Sequence, residues 1–97
     1  MYVVIFRAEI AGIDSEYRES AEKLRKLAIE KYGCREFVSA SEGNAEIAIS
    51  YWDSKDQIRE WKQDPEHLLA QAKGKENWYH SYSVEITEVQ RSYNSSV

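Results

Sequence analysis

The chain contains a single cysteine, Cys34, which excludes an internal disulfide. Its opening apolar run, residues 3–6, is far shorter than the roughly 20 residues that a membrane helix needs. The run also has no basic start and no cleavage site, so it does not resemble a signal peptide. From these absences we predict a cytoplasmic protein that does not enter a membrane.

Basic residues are too few and too scattered for a nucleic-acid surface. The formal net charge is −4, with 13 Lys and Arg against 17 Asp and Glu. Binding to phosphates needs a positive stripe, and an RNA-binding sheet also needs a stretch of interleaved basic and aromatic residues. Two histidines and one cysteine, widely spaced, give no metal-ligand pattern, and no glycine-rich phosphate loop is present. Nucleic acids, metals and nucleotides are therefore not predicted as partners.

Aromatic residues are plentiful, with three Trp and seven Tyr among 97 residues. Their rings supply large apolar area, and their polar ends can hold a ligand or a partner chain. A chain of this length forms one domain and buries only roughly 60–68% of its unfolded surface. Association with a second copy would therefore add stability.

Alternation of apolar and polar residues predicts strands over 2–10, 35–42, 45–52 and 79–89. Helical spacing predicts a helix over 15–32 and two short helices between the third and fourth strands. The order β-α-β-β-α-β is typical of an α+β, ferredoxin-like sandwich whose four-stranded antiparallel sheet has helices on one face. A polar tail over about 91–97 completes this single domain.

The opposite face of the sheet is predicted either to lie in water, as in many antiparallel sheets, or to meet a second copy of the chain across a two-fold axis. The number of exposed aromatic residues and the small size of the chain favour the second copy. By alternation, this face carries Arg7, Glu9, Ala48, Ser50, Trp52, Ser81, Ser83 and Thr87.

Local signals fix several boundaries. Gly43 begins a two-residue hairpin turn, since glycine tolerates positive φ. Ser54 and Gln57 fit a capping box that starts the first short helix. Asp64 caps the second short helix, and Gly74 is expected to stop it.

The two short helices carry the candidate site residues Trp61, His67 and Gln71. Trp61 is either a core residue or a flat wall for an aromatic ligand. His67 lies in the first turn of its helix, where the dipole disfavours the charged imidazole. It is either an exposed polar residue or the base that deprotonates a phenol. Gln71, one turn later on the same helix face, would add a polar contact.

Two aromatic residues at the start of the last strand, Trp78 and Tyr82, are further candidates for contacts with the substrate. Core or dimer packing is the alternative for both, and we assign neither a catalytic role.

The chain resembles the antibiotic biosynthesis monooxygenase family of dimeric α/β barrels over about residues 2–91. The residues that carry the resemblance are Phe6, Arg7, Ala8, Glu9, Tyr51, Trp52, Ser54, Trp61, Lys62, Glu66, His67, Gln71, Gly74, Trp78, Tyr79 and Tyr82. The resemblance implies a homodimer whose two sheets form a shared barrel, with one pocket per protomer between helices and sheet. Members of the family oxidise phenolic polyketides without metal or flavin, or degrade heme.

The heme-degrading branch combines a first-strand asparagine, a tryptophan and a heme-binding histidine. Here Trp61 matches the tryptophan, but the other two positions fall near Arg7 and Gln71, so heme is disfavoured. The resemblance therefore implies a monooxygenase without a cofactor that acts on a small phenol or hydroquinone. The alternative is a dimeric module that binds a small ligand, or serves in stress, without catalysis.

Overall fold

Four strands and three α-helices are present in residues 1–96, the part of the chain that the computed structural model describes. The strands are β1 (Tyr2–Ile10), β2 (Glu36–Glu42), β3 (Ala45–Trp52) and β4 (Tyr79–Glu88). The helices are α1 (Ser15–Glu30), α2 (Lys55–Lys62) and α3 (Pro65–Lys73), and a π-helical turn, Gly74–Trp78, leads into β4. The predicted order is confirmed, although α1 ends two residues earlier than expected. Residues 91–96 of the predicted tail are exposed, and Val97 lies outside the described residues.

The sheet has the strand order β2-β3-β1-β4, and every neighbouring pair is antiparallel. Phe6 on β1 lies opposite Ala48 on β3 and Val84 on β4, so these three side chains share one face. The helices cover that face, which we call the inner face. The α+β, ferredoxin-like fold is confirmed.

The prediction of which β3 side chains face the helices is wrong. Trp52 is fully buried on the inner face, and Ser50 and Ala48 lie on the same side. Ile47, Ile49 and Tyr51 therefore point to the outer face. Both sets of β3 side chains are mostly apolar or small, so alternation could not show which set meets the helices. The outer positions on β1 and β4 were predicted correctly.

The core lies under α1 and α2. Its buried residues are Val4, Ala28, Cys34, Trp52, Ile58 and Trp61. Each large apolar side chain that is fully buried in this way contributes roughly 1.5–3 kcal/mol. The Nε1 group of Trp52 donates a hydrogen bond of 2.8 Å to Ser50 Oγ, which satisfies the one polar atom of that indole.

The helix starts follow the sequence signals. Ser54 and Gln57 form the predicted capping box at α2, and Asp64 accepts a hydrogen bond from the Glu66 amide at α3. Helix α3 ends at Lys73 with Gly74 as its C-cap, as predicted, although the φ of Gly74 is a helical −59° and a π turn continues from it. Gly74 also provides space, since a Cβ there would lie 2.5 Å from Tyr79 Cε2.

The single thiol is enclosed. Cys34 is buried and unpaired, and its Sγ donates to the Glu36 carbonyl at 3.2 Å. Burial raises the pKa of this thiol, which makes it a poor nucleophile. The predicted cytoplasmic location stays a prediction. No helix within residues 1–96 combines the length and the apolar composition needed to cross a membrane.

Candidate functional site

A cavity of about 340 Å³ lies between the inner face of the sheet and helices α1 and α3. Volumes of roughly 300–1,000 Å³ are usual for small-molecule sites. The side chains that line it are Val4, Phe6, Tyr17, Ala21, Glu22, Leu24, Arg25, Phe37, Ser39, Glu46, Ala48, Trp61, Lys62, His67, Ala70, Gln71, Tyr79, Tyr82 and Val84. The sheet side is mainly apolar, and polar groups are contributed chiefly by the helices.

Trp61 is fixed at one end of the cavity. The side chain is only 6% exposed, and its Nε1 donates to the Leu24 carbonyl of α1 at 3.1 Å. Its ring packs against Trp52 and Phe37, with centroid separations of 5.1 and 6.1 Å. Trp61 therefore combines the two roles considered from the sequence, because it belongs to the core and also lines the cavity.

His67 also lines the cavity, and its ring lies 4.5 Å from that of Trp61 with an interplanar angle of 85°. Its Nδ1 is enclosed and has no hydrogen-bond partner within residues 1–96. Burial lowers the pKa of the imidazole, and the nearby charge of Lys62 acts in the same direction. The ring is therefore neutral at neutral pH, the form that can accept a proton.

The structure places three of the four predicted contact residues on the cavity. Trp61, Gln71 and Tyr82 line it together with His67. Trp78 lies outside the lining. Its Nε1 donates to Asp14 Oδ1 at 3.1 Å, and its ring packs edge-on against that of Tyr17 at 5.2 Å. Trp78 therefore holds the start of α1 against the π turn.

A cluster of aromatic residues at the other end of the cavity was not predicted. Tyr79 packs against Phe6 at 5.5 Å, against Tyr82 at 5.9 Å and against Tyr17 at 6.2 Å between ring centroids. Glu46 lines the cavity beside them, and its charge contributes to raising the pKa of Tyr17, although burial is the larger cause. If the side of β3 that carries Glu46 had been assigned to the inner face, Glu46 would have been predicted as a site residue.

The loop between α2 and α3 is held by a buried carboxylate. Asp64 is 6% exposed and accepts hydrogen bonds from the Tyr32 hydroxyl at 2.6 Å and from the Glu66 amide at 2.9 Å. The bond from Tyr32 is the main reason why the pKa of Asp64 lies below its ordinary value. Because His67 lies three residues further on, these bonds position its helix relative to α1.

The arrangement provides a neutral imidazole, an indole wall and an amide beside an apolar floor. Such a site can hold a flat ligand and remove a proton from it. Within residues 1–96, no group of three or more His, Cys, Asp or Glu side chains is placed to hold a metal ion.

A related sequence is the uncharacterised protein YqjZ of Bacillus subtilis strain 168. It is 38% identical over 91 residues, which cover 93% of this chain and 80% of YqjZ. No protein-family model matches the chain.

Solved structures share the fold at low sequence identity. SnoaB, a cofactor-independent oxygenase from Streptomyces nogalater, superposes with a TM-score of 0.79 at 12% identity, covering 97% of each chain. A proposed antibiotic biosynthesis monooxygenase from Nitrosomonas europaea gives 0.76 at 13% identity, covering 92% of this chain and 89% of the other. A second one, from Deinococcus radiodurans, gives 0.71 at 14% over all of both chains. At such identities the likeness shows the fold alone.

Proposed function

The chain belongs to the same family as YqjZ and has the fold of the antibiotic biosynthesis monooxygenases, and on this premise we propose that it is a monooxygenase. Its substrate would be a small phenol or hydroquinone, oxidised without a cofactor. The observation that carries the proposal is that one cavity is lined by Trp61 and by His67, whose Nδ1 has no hydrogen-bond partner within residues 1–96.

The cavity suits a flat aromatic substrate. Its walls include the indole of Trp61 and the ring of Phe37, and its floor includes Val4 and Val84. Apolar walls exclude water, and a substrate ring packed on them is held in one orientation. Gln71 offers the amide hydrogen-bond donor and acceptor that would orient a phenolic oxygen.

His67 would serve as the base. It takes the phenolic proton, and the phenolate transfers one electron to O2 to give a substrate radical and superoxide. Recombination forms a carbon–oxygen bond, and the proton returns from His67 to the peroxide. Loss of water then leaves a carbonyl, so phenol and O2 become quinone and water, with one atom of O2 in each product. No external reductant is needed.

The protein would act as a homodimer in which the outer faces of two sheets meet. The apolar outer side chains are Val3, Ile5, Val38, Ala40, Ile47, Ile49 and Tyr51. Beside them Arg7 and Glu85 form an ion pair of 3.1 Å. A face that presents both signs of charge beside an apolar strip is complementary to itself under a two-fold rotation.

Oxygen uptake with a panel of hydroquinones and polyhydroxylated anthrones tests the activity. We expect His67→Gln to lower the rate by roughly 10²-fold or more, the usual contribution of a general base. His80→Gln is the matched control, because His80 is the other histidine, is exposed and does not line the cavity. Equal rates for the wild type and both variants would exclude His67 as the base.

The same experiment separates catalysis from binding alone. If the aromatic compounds bind saturably and Trp61→Phe weakens their binding, but no oxygen is consumed, the protein is a ligand-binding module. Uptake above the rate of the uncatalysed reaction, reduced by His67→Gln, supports the monooxygenase.

A further inference from the structure

The cavity has an acidic side chain, Glu46, on its sheet side. Glu46 lines it on β3, directly across the sheet from Ala8, and takes part in none of the ion pairs within residues 1–96. Glu46 is close enough to Tyr17 and Tyr79 that its charge contributes to raising the pKa of both phenols, after burial as the main cause. Both phenols therefore stay protonated at neutral pH, and the carboxylate has no cationic partner in the part of the chain that the structure describes.

Aromatic residues line the cavity together with Glu46. Phe6, Tyr79 and Tyr82 form a mutually packed group with centroid separations of 5.5 to 6.0 Å, and Tyr17 joins it through Tyr79. Aromatic faces attract ammonium groups, and a carboxylate gives a strong charge-assisted hydrogen bond to an ammonium N–H. A carboxylate beside several rings is a chemical arrangement that recognises an amine.

The opposite end of the cavity is basic. Lys62 and Arg25 line it, and Lys62 is the cation that acts on the pKa of His67. A second acidic residue, the exposed Glu22 of α1, also lines the cavity, one turn before Lys26. The sheet-side carboxylate therefore lies at the Glu46 end of the cavity, and the basic side chains lie at the Trp61 end.

Two structural elements give similar lengths for this cavity. On β3, Glu46 lies four residues from Ser50, which corresponds to about 14 Å at 3.4 Å per residue, and Phe37, the partner of Ser50, packs on Trp61. On α1, Tyr17 lies seven residues before Leu24, a separation of about 10 Å at 1.5 Å per residue. The carbonyl of Leu24 accepts the hydrogen bond from Trp61. A single aromatic ring with a short side chain spans most of this distance.

We propose that Glu46 is a specificity determinant that selects aromatic ligands bearing an amino group, with the amine at the tyrosine end and the ring beside Trp61. The proposal rests on the proposed function only in placing a phenolic ring next to His67. The ligand class is thus a phenol with an aminoalkyl substituent, rather than a neutral or acidic phenol.

Binding of three matched phenols tests the assignment without any turnover. Tyramine carries the amine, 4-ethylphenol is neutral, and 3-(4-hydroxyphenyl)propionate carries a carboxylate. We expect NMR titration at neutral pH to give a dissociation constant for tyramine roughly tenfold lower than for 4-ethylphenol, because hydrogen bonds to charged groups contribute about that much. The propionate should bind most weakly.

Glu46→Gln keeps the size of the side chain and removes its charge, so it should abolish the preference for tyramine over 4-ethylphenol. Glu19→Gln is the control, because Glu19 is exposed on α1 and does not line the cavity. The inference is overturned if the wild type binds tyramine no better than 4-ethylphenol, if tyramine gives no saturable shifts at millimolar concentration, or if the preference survives in Glu46→Gln.

This readout is independent of oxidation. A tyramine preference that depends on Glu46, in a protein that consumes no oxygen, supports this inference and contradicts the monooxygenase. Oxygen uptake with no preference among the three phenols would support the monooxygenase and contradict the role of Glu46.

Discussion

The imidazole of His67 stands edge-on to the indole of Trp61, with 4.5 Å between the ring centroids. The two residues come from different helices, and Asp64 lies between them in the sequence. Because Trp61 donates to the Leu24 carbonyl of α1 and Asp64 accepts from Tyr32, which follows α1, both short helices are tied to α1 and the residues just after it. The base and the wall of the proposed site are thus held by the packing of the core.

The low pKa of His67 predicts a dependence of stability on pH. Burial places the pKa of the folded imidazole below the ordinary value of about 6.5, so the unfolded state takes up this proton first. The contribution of neutral His67 to the unfolding free energy is therefore complete above about pH 6.5. It is lost as the pH falls through the pKa of the folded state. We expect His67→Gln to flatten the slope of unfolding free energy against pH just below 6.5, as measured by urea denaturation. His80→Gln should leave that slope as in the wild type, and an unchanged slope in His67→Gln would contradict the prediction.

The Tyr32–Asp64 hydrogen bond predicts a shift that can be measured directly. This bond lowers the pKa of Asp64, so its contribution to stability is present above the ordinary value of about 4 and is lost as the pH falls through the lower folded value. Tyr32→Phe should raise the pKa of Asp64 in a carboxyl NMR titration and reduce the acid-induced loss of stability. Tyr93→Phe, which changes an exposed tyrosine, should shift nothing. A pKa of Asp64 that stays the same without the Tyr32 hydroxyl would show that another group sets it.

Two glycines of the chain form a matched pair for substitution by alanine. A Cβ at Gly74 would lie 2.5 Å from Tyr79 Cε2, whereas a Cβ at Gly12 would have no neighbour within 4 Å. Gly74→Ala should force the Tyr79 ring to move and cost roughly 1–3 kcal/mol, as overpacking usually does. Gly12→Ala should change the unfolding free energy far less. Chemical denaturation measures both, and similar costs at the two positions would mean that Tyr79 moves freely.

The apolar outer face predicts association. Ile49→Lys would place a charge in the middle of this face, between Ile5 and Val38 in the register. We expect the wild type to sediment as a dimer at micromolar concentration and Ile49→Lys to sediment as a folded monomer of 11.3 kDa. Glu60→Lys, which places a lysine at an exposed position of α2, is the control. A wild type that sediments as a folded monomer would contradict the proposed barrel.

Local signals in the sequence predicted the elements and their order. The Gly43 turn, the capping box of Ser54 and Gln57, and the Asp64 cap all act between residues close in the chain, so they can be recognised without tertiary information. The same nearness placed Trp61 and His67 together, because only a short loop separates their helices. The end of α3 at Gly74 was predicted in the same way, but the close approach of Tyr79 to Gly74 was not, because the sequence does not show which side chain packs there.

The sequence by itself determined the α+β order, the helix starts and the pairing of Trp61 with His67. Only the tertiary structure decided which side of β3 faces the helices, and with it the presence of Glu46 and the tyrosine group in the cavity. The physical reason is that β3 has apolar residues on both of its faces. The choice between them depends on contacts with strands and helices distant in the chain, which a local pattern does not encode.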